Sequence, residues 1–225
     1  TLCRYGSASQ LLMTESLRRR ACRRIRFPRW VKPTIFTACL LPFAYLLWAA
    51  FANQLGANPA ETLIRSTGDW VLRGLCLVLL MTPLSNWIQT PALVSLRRML
   101  GLFVYFYVTL HLISYALFDM GLDLVAIVAD VIKRPFITVG MLAFVLLTAL
   151  AVTSPHAVVR KMGGKRWKQL HRAVYVIAAL GVLHFFWMRS GKQNFAEVWL
   201  YGLILGVLLL IRIPIVARYT RRAAS

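Results

Sequence analysis

The feature that most constrains this chain is a series of long segments that contain no charged residue. Six such runs occur, at 33–60, 74–96, 99–118, 135–159, 173–188 and 198–211. A helix needs about 20 mostly apolar residues to cross a hydrocarbon core about 30 Å thick, and four of the runs reach that length. With 59% hydrophobic and 15% charged residues, the chain is also too apolar for an ordinary soluble domain. The sequence therefore predicts an all-α membrane protein, a bundle of six transmembrane helices.

The two shorter runs are expected to extend into charged sequence. The fifth run has 16 residues, which is only about 24 Å of helix at about 1.5 Å per residue. Its helix must begin earlier, within the segment KRWKQLHR at 165–172, which puts His171 at the membrane boundary. The sixth run is expected to continue through Arg212 towards Ala217, with the arginine reaching back to the interface.

Basic residues predict the orientation of the bundle. With both termini inside, 21 of the 27 Lys and Arg residues lie on the inner side and 6 on the outer side. The positive-inside rule then favours cytoplasmic termini, and the +20 net charge indicates attraction to anionic lipid rather than nucleic acid. We expect a basic, disordered tail at 1–32, a transmembrane domain at 33–217 and a basic tail at 218–225. Met13 is a candidate for the natural start.

Three of the four histidines lie in or beside the apolar runs. A histidine in hydrocarbon loses its solvation and needs a partner, so several of them indicate a buried metal cofactor, for which haem is the candidate. His111 follows Arg98 by 13 residues and His184 follows Arg172 by 12, so each lies about 18 to 20 Å above the cytoplasmic boundary. Two imidazoles on one iron need nitrogens about 4 Å apart. Histidines at equal depth on neighbouring helices can satisfy this requirement, and we predict His111 and His184 as ligands.

The third of these histidines, His171, must have another role. It lies 13 residues from His184 on the same helix, about 20 Å away, so the two cannot ligate one iron. A second haem on the cytoplasmic side, a flavin or quinone contact and hydrogen bonding at the interface all remain open for His171. His156, which follows Pro155 at the end of the fourth run, is interpreted as an ordinary loop histidine.

Charged residues near the outer boundary are candidates for further contacts. Arg73 and Arg134 lie where haem propionates would end, so they either pair with propionates or anchor the helices at the interface. The outer segment at 119–134 is typical of an amphipathic interfacial helix whose three aspartates face water. Six of the seven acidic residues are predicted outside, as a docking surface for a basic partner or simply as solvated charge.

Cysteines and nucleotide motifs add little. The four cysteines, Cys3, Cys22, Cys39 and Cys76, have no CxxC or zinc-ligand spacing, and we expect free thiols. No phosphate-binding P-loop or dinucleotide fingerprint occurs in the sequence. Nucleotide chemistry is therefore not expected of this chain.

Several motifs taken together resemble a known family. The segments that carry the resemblance are RRMLGL (97–102), LHLISYAL (110–117), KRPFITVG (133–140), GKRWKQLHRAVY (164–175) and LHFFW (183–187), together with LGANP, STGDW and TPL. They resemble the MsrQ (YedZ) family, the haem-binding membrane subunits of the bacterial periplasmic methionine-sulfoxide reductase system. The resemblance covers about 33–211. More distantly, the bundle is similar to the transmembrane domain of ferric reductases and NADPH oxidases.

The resemblance implies a b-type haem electron-transfer subunit, multi-pass in the bacterial inner membrane, rather than the sulfoxide-reducing catalyst itself. It implies electron delivery to a periplasmic molybdenum-containing reductase that repairs oxidised methionines. It also implies His111, His171 and His184 as the haem-associated histidines, an FMN, and quinol as electron source. The chain ends soon after its sixth predicted span, without the flavin and nicotinamide domain of the oxidases, so a separate donor is expected, either quinol or a flavin reductase.

Two other classes of function remain open from the sequence. One is a different haem-dependent transmembrane oxidoreductase, of the ferric or quinone reductase type, that works without a dedicated partner. The other is a non-redox membrane transporter or scaffold whose intramembrane histidines relay protons or hydrogen-bond helices to one another.

Overall fold

A computed structural model describes residues 28–190 and 195–224, and every regular element within them is helical. The α-helices are α1 (Val31–Phe51), α2 (Pro59–Trp87), α3 (Leu96–Ser114), α4 (Leu124–Lys133), α5 (Pro135–Val152), α6 (His156–Met162), α7 (Gly164–Leu170), α8 (Ala173–Ser190) and α9 (Ala196–Ala224). A 3-10 turn at Pro91–Ser95 leads into α3, and a π-helical turn at Tyr115–Asp119 ends it. The predicted all-α class is confirmed.

Five segments of the described chain are long and apolar enough to cross a membrane. They are Val31–Phe51, Pro59–Trp87, Ala92–Asp119, Pro135–Val152 and Gly164–Ser190. The protein is therefore a multi-pass membrane protein, consistent with an inner-membrane location. The sixth predicted span falls within α9, which is not among the five. The count of six and the cytoplasmic termini stay predictions.

The second helix differs from the expectation drawn from charge-free runs. The run at 33–60 is divided by a loop, and α2 begins at Pro59, 15 residues before the second run starts at Gly74. The start is well specified, because the Asn58 side chain accepts a hydrogen bond from the Glu61 N–H at 3.2 Å and proline occupies the first helical position. A charge-free run therefore located the apolar part of this span but not the helix.

Arg65 and Arg73, two of the charged residues in the first half of α2, have partners there. Arg65 forms an ion pair with Glu61 one turn earlier. Arg73 donates from Nε to the Tyr201 hydroxyl at 3.1 Å, and its guanidinium carbon lies 4.7 Å from the centroid of the Trp70 ring. Partnered side chains do not expose an isolated charge to lipid, so the helix continues through them.

The predicted interfacial helix is present as α4. Asp123 caps it, accepting hydrogen bonds from two backbone N–H groups, and its apolar side chains are exposed, as in a helix that lies in the membrane surface. Asp130 differs from the prediction that it faces water. Its side chain is 11% exposed, accepts a hydrogen bond from the Tyr115 hydroxyl at 2.7 Å and pairs with Arg134 Nε at 2.8 Å. The last turn of α4 is thereby tied to α3 and to the start of α5.

The bundle is organised around two closely packed helix pairs, α2 with α3 and α5 with α8. The central helix α2 also packs against α9, while α1 makes few contacts. The largest fully buried side chains come from α2, α3, α8 and α9: Leu75, Leu79, Val104, Ile177 and Leu205. Each pair carries one of the two membrane-embedded histidines, His111 on α3 and His184 on α8.

Some predictions fall outside the described residues. These are the natural start at Met13, most of the tail at 1–32, Cys3 and Cys22. Cys39 and Cys76 are free thiols, as predicted. The domain boundaries at 33–217 and 218–225 stay predictions.

Candidate haem site

A cavity of about 450 Å³ lies between the two helix pairs. Its wall is formed mainly by apolar side chains of α2, α3, α5 and α8, and both His111 and His184 line it. Cofactor and ligand sites in proteins have volumes of roughly 300 to 1,000 Å³ and are mostly apolar with a few placed polar groups. The cavity has the size and chemistry of such a site.

The structure brings together the two histidines that were paired by depth. Their ring centroids are 6.3 Å apart and the ring planes are inclined at 89°. Two imidazoles that each bind one metal ion at about 2 Å have centroids about 6 Å apart. The spacing of His111 and His184 therefore suits a single metal ion between them, and their role as ligands stays a prediction.

Both rings are held by a backbone carbonyl on another helix. His111 Nδ1 lies 2.8 Å from the Ile64 carbonyl oxygen, and His184 Nδ1 lies 2.6 Å from that of Phe136. A carbonyl oxygen only accepts, so Nδ1 must carry the proton and Nε2 keeps its lone pair. Within residues 28–190 and 195–224, neither Nε2 has a hydrogen-bond partner. This is the state of a histidine prepared to bind a metal through Nε2.

The set of donors fits a haem better than a bare metal ion. The described part of the chain contains no group of three or more His, Cys, Asp or Glu side chains that could hold a metal. A protein site for a bare ion such as zinc takes three or four ligands from side chains, whereas a haem brings its own equatorial nitrogens and needs only axial ones. Two histidines on opposite helix pairs are sufficient for haem.

The outer end of the cavity, defined here as the end that holds Asn58 and Arg134, is polar. Arg134 lines the cavity there, and so does Arg65, which the sequence reasoning missed; a propionate contact of Arg134 stays a prediction. Arg65 was overlooked because the second span was placed from Gly74 onward. Arg73 was predicted beside Arg134, but it does not line the cavity and is bonded to Tyr201 instead. Its role in cofactor binding stays a prediction.

His171 is not a lining residue of this cavity. It lies in the turn between α7 and α8, so the single helix that was predicted to carry both His171 and His184 is interrupted at His171. Its ring stacks on Trp167 with centroids 4.0 Å apart, and its Nδ1 lies 3.1 Å from the Trp167 carbonyl oxygen. His156 begins α6 and lies 3.0 Å from an Arg98 guanidinium nitrogen. Neither of these two histidines lies with the pair in the cavity.

Comparison with known proteins identifies the family. Residues 67–182 match the family described as "Ferric reductase like transmembrane component". A protein of Polaromonas naphthalenivorans named "Protein-methionine-sulfoxide reductase heme-binding subunit MsrQ" is 62% identical over 79% of this chain and 81% of its own length. Proteins with the same name are 51% identical in Herminiimonas arsenicoxydans (81% of this chain, 84% of the relative) and 43% identical in Caulobacter vibrioides (80% and 84%). The chain therefore belongs to the MsrQ family of ferric reductase-like transmembrane proteins.

Proposed function

We propose that this chain is a b-type haem electron-transfer subunit that passes electrons from a quinol or flavin donor to a periplasmic methionine-sulfoxide reductase. The observation that carries the proposal is the pair His111 and His184. Their rings line one cavity with centroids 6.3 Å apart, and each Nδ1 is directed at a carbonyl. The names of the relatives supply the haem and the sulfoxide reductase system.

The residues of the chain would bind and orient the cofactor. His111 and His184 would bind the iron through Nε2, and the carbonyls of Ile64 and Phe136 would fix the planes of both rings. When bound, the haem supplies a centre that stores and transfers one electron. The apolar wall would exclude water from the bound group, and the low dielectric constant around it would favour electron transfer. No proton-transfer step is required of the two histidines.

The polar end of the cavity would hold the charged edge of the haem. Arg65 and Arg134 line this end, with Asn58 and Asp119 beside them. Guanidinium groups bind carboxylates through two parallel hydrogen bonds, so both arginines are suited to the propionates. The orientation prediction assigns this end to the periplasm. The haem would then lie in the outer half of the bundle, near a periplasmic acceptor.

The finer parts of the proposal rest on the family. The acceptor is a molybdenum-containing methionine-sulfoxide reductase subunit, and an FMN and quinol are the corresponding redox partners on the donor side. His171 lies outside the cavity, stacked on Trp167, and is proposed to act on that donor side as an inner haem ligand or as a contact of the donor. The match to ferric reductase-like proteins favours one alternative, direct reduction of a small acceptor without a partner protein.

Electron delivery in oriented vesicles tests the proposal. The full chain with its haem is reconstituted, reduced from the inner side by a quinol, and offered either the purified periplasmic reductase or an impermeant ferric chelate on the outer side. We expect rapid haem reoxidation by the reductase with methionine sulfoxide present, and slow reoxidation by the chelate. Fast reoxidation by the chelate alone would favour the ferric reductase alternative. A purified protein that contains no haem would defeat both.

A further inference from the structure

Each of the two histidines in the cavity meets a backbone carbonyl and a glycine of a neighbouring helix; at His111 the Thr67 hydroxyl also lies 3.0 Å from the same carbonyl oxygen. His111 is bonded to the carbonyl of Ile64 and contacts the residue four positions later, Gly68. His184 is bonded to the carbonyl of Phe136 and contacts the residue four positions later, Gly140. The two contacts are on different helices, α2 and α5, so the repetition does not come from a shared segment.

A side chain at either glycine would meet a histidine ring. A Cβ added to Gly68 would lie 3.3 Å from Cε1 and Nδ1 of His111. A Cβ added to Gly140 would lie 2.9 Å from the same two atoms of His184, closer than real Cβ atoms approach. The ring of His184 therefore occupies the space that an alanine methyl group would take at Gly140, whereas the ring of His111 would have to move by a few tenths of an ångström to admit one at Gly68.

Helix geometry explains why the glycine stands four residues after the carbonyl. In an α-helix the Cα–Cβ bond is tilted towards the N-terminus, so a side chain covers the turn that precedes it. The carbonyl of residue n already accepts the N–H of residue n+4, and its second lone pair can be reached only from the side. A side chain at n+4 would block that approach. Glycine leaves the carbonyl open to an imidazole from the neighbouring helix.

We propose that Gly68 and Gly140 are positioning residues for the axial histidines of the haem. By uncovering the carbonyls of Ile64 and Phe136, they set the tautomer and the plane of each ring and strengthen each imidazole as a donor. The inference rests on the proposed haem function and deepens it, because it assigns control of the iron ligands to two residues that do not touch the iron.

The two positions differ in how strictly they require glycine. The contact of Gly140 is closer than that of Gly68, and the Nδ1 to carbonyl distance is also shorter at His184, 2.6 Å against 2.8 Å at His111. A shift of a few tenths of an ångström would relieve the contact at Gly68, whereas the ring of His184 would have to move away. Substitution of Gly140 should therefore have the larger effect.

The role predicts an electronic effect that simple loss of packing would not produce. A hydrogen bond from Nδ1 to a carbonyl raises the basicity of the ligating imidazole. A more basic axial ligand stabilises ferric over ferrous iron and so lowers the midpoint potential. When the hydrogen bond is weakened, the midpoint potential of the haem should rise, and the low-spin electron paramagnetic resonance (EPR) signal should change with the ring planes.

The chain offers matched controls for this test. Gly74 lies on α2, the same helix as Gly68, and a Cβ there would come within 2.7 Å of the Val104 side chain rather than of a histidine. Gly206 lies on α9, and a Cβ there would have nothing within 4 Å. Alanine at Gly74 therefore reproduces the steric conflict without the histidine, and alanine at Gly206 reproduces the change in helix propensity alone.

The experiment compares Gly68→Ala, Gly140→Ala, Gly74→Ala and Gly206→Ala in the haem-loaded full chain. We expect Gly140→Ala to weaken haem binding by roughly 10- to 100-fold, the usual cost of losing a partner of a metal ligand. Gly68→Ala should keep its haem, with a raised midpoint potential and altered EPR g-values. Gly74→Ala should lower the thermal unfolding midpoint without changing either, and Gly206→Ala should resemble the unsubstituted protein.

Two results would overturn the inference. One is an unchanged potential and unchanged g-values in both Gly68→Ala and Gly140→Ala. The other is an equal change in Gly74→Ala, which would attribute the effect to general packing. Should Gly140→Ala not fold, the milder Gly68→Ala decides between these outcomes. Failure of the proposed function would look different, since the unsubstituted protein itself would then lack a low-spin haem with two histidine ligands.

Discussion

The histidines at the two ends of the bundle are held in different ways. His111 and His184 bond to carbonyls 47 and 48 residues away, each on the other helix of its pair. His171 bonds to a carbonyl only four residues away, that of Trp167, and stacks on the same residue. The outer rings are therefore oriented by tertiary packing, whereas His171 is oriented by its own turn.

Charge differs between the two ends as well. At the outer end, Arg65 and Arg134 line the cavity and each pairs with a carboxylate. Near the start of α8, Arg212 of α9 is only 4% exposed and donates to the Leu79 carbonyl and to the Tyr175 hydroxyl at 3.2 Å. These neutral acceptors bind only the two terminal nitrogens; the buried Nε has no hydrogen-bond partner among the described residues, and the charge is not cancelled. Within the described residues, Arg212 thus has no carboxylate partner, whereas Arg65 and Arg134 are each ion-paired.

Removing either histidine of the cavity, His111 or His184, should have the largest effect of all the substitutions. His111→Ala and His184→Ala should each abolish the low-spin haem spectrum, because either change leaves one axial position empty. Haem content per protein and the Soret band of the oxidised and reduced protein measure the effect. His156→Ala, which alters a histidine outside the cavity, is the control and should keep the full spectrum. Retention of a low-spin spectrum with two imidazole ligands in either cavity variant would disprove the assignment.

The inner histidine should give a smaller and different effect. His171→Ala should leave the spectrum of the outer haem largely intact, because His171 does not line the cavity, but should slow reduction from the inner side. Stopped-flow reduction by a quinol, with the spectrum recorded in the same sample, measures both. If a well-folded His171→Ala protein lost all of its haem, His171 would be a ligand of the principal haem and the distinction between the two ends would fail.

Some residues of the cavity could be predicted from the sequence and others could not. Depth in the membrane is proportional to residue number along a helix, so counting from Arg98 and Arg172 was enough to pair His111 with His184. Gly68 and Gly140 could not be found in this way. Their significance depends on which helices are neighbours and on how each is rotated, and a sequence without contacts contains neither.

The length of a charge-free run predicted the position of a helix less well than counting residues predicted the depth of a histidine. It placed the second span from Gly74, whereas α2 starts at Pro59, because hydrogen-bonded and ion-paired side chains are tolerated inside a membrane helix. Arg65 was missed for this reason. The cap at Asn58, with proline immediately after it, was the local signal that could have located the start.

Breaking the ion pair between Asp130 and Arg134 at the outer end should cause a moderate loss of the protein's stability. Asp130→Asn should weaken the pair with Arg134 and the hydrogen bond from Tyr115, at a cost of roughly 1 to 2 kcal/mol, since Arg134 is partly exposed and the pair is screened. Asp123→Asn is a matched control, because asparagine caps a helix about as well as aspartate. Thermal unfolding should show a lower midpoint for Asp130→Asn than for Asp123→Asn. Equal midpoints would show that the ties of α4 to α3 and α5 contribute nothing measurable.

The smallest expected effect is a shift in the midpoint potential of the haem. It should distinguish Arg134, which lines the cavity, from Arg73, which does not. Reduction adds negative charge to the haem, and a nearby cation stabilises the reduced form, so Arg134→Gln should lower the midpoint potential. Loss of Arg134 also leaves Asp130 without its ion pair, which acts in the same direction. Arg73→Gln should change the potential much less, because Arg73 lies outside the cavity. Its guanidinium is hydrogen-bonded to Tyr201 and lies over the Trp70 ring instead.

Redox titration of the two arginine variants beside Gly68→Ala provides the measurement. The arginine and glycine substitutions should move the potential in opposite directions, downwards for Arg134→Gln and upwards for Gly68→Ala. Opposite shifts would separate two effects on the midpoint potential, that of the charge at the outer end and that of the donor strength of the histidines. Equal shifts in Arg134→Gln and Arg73→Gln would mean that the haem responds only to the net charge of the bundle, and that the polar end of the cavity does not hold the propionates.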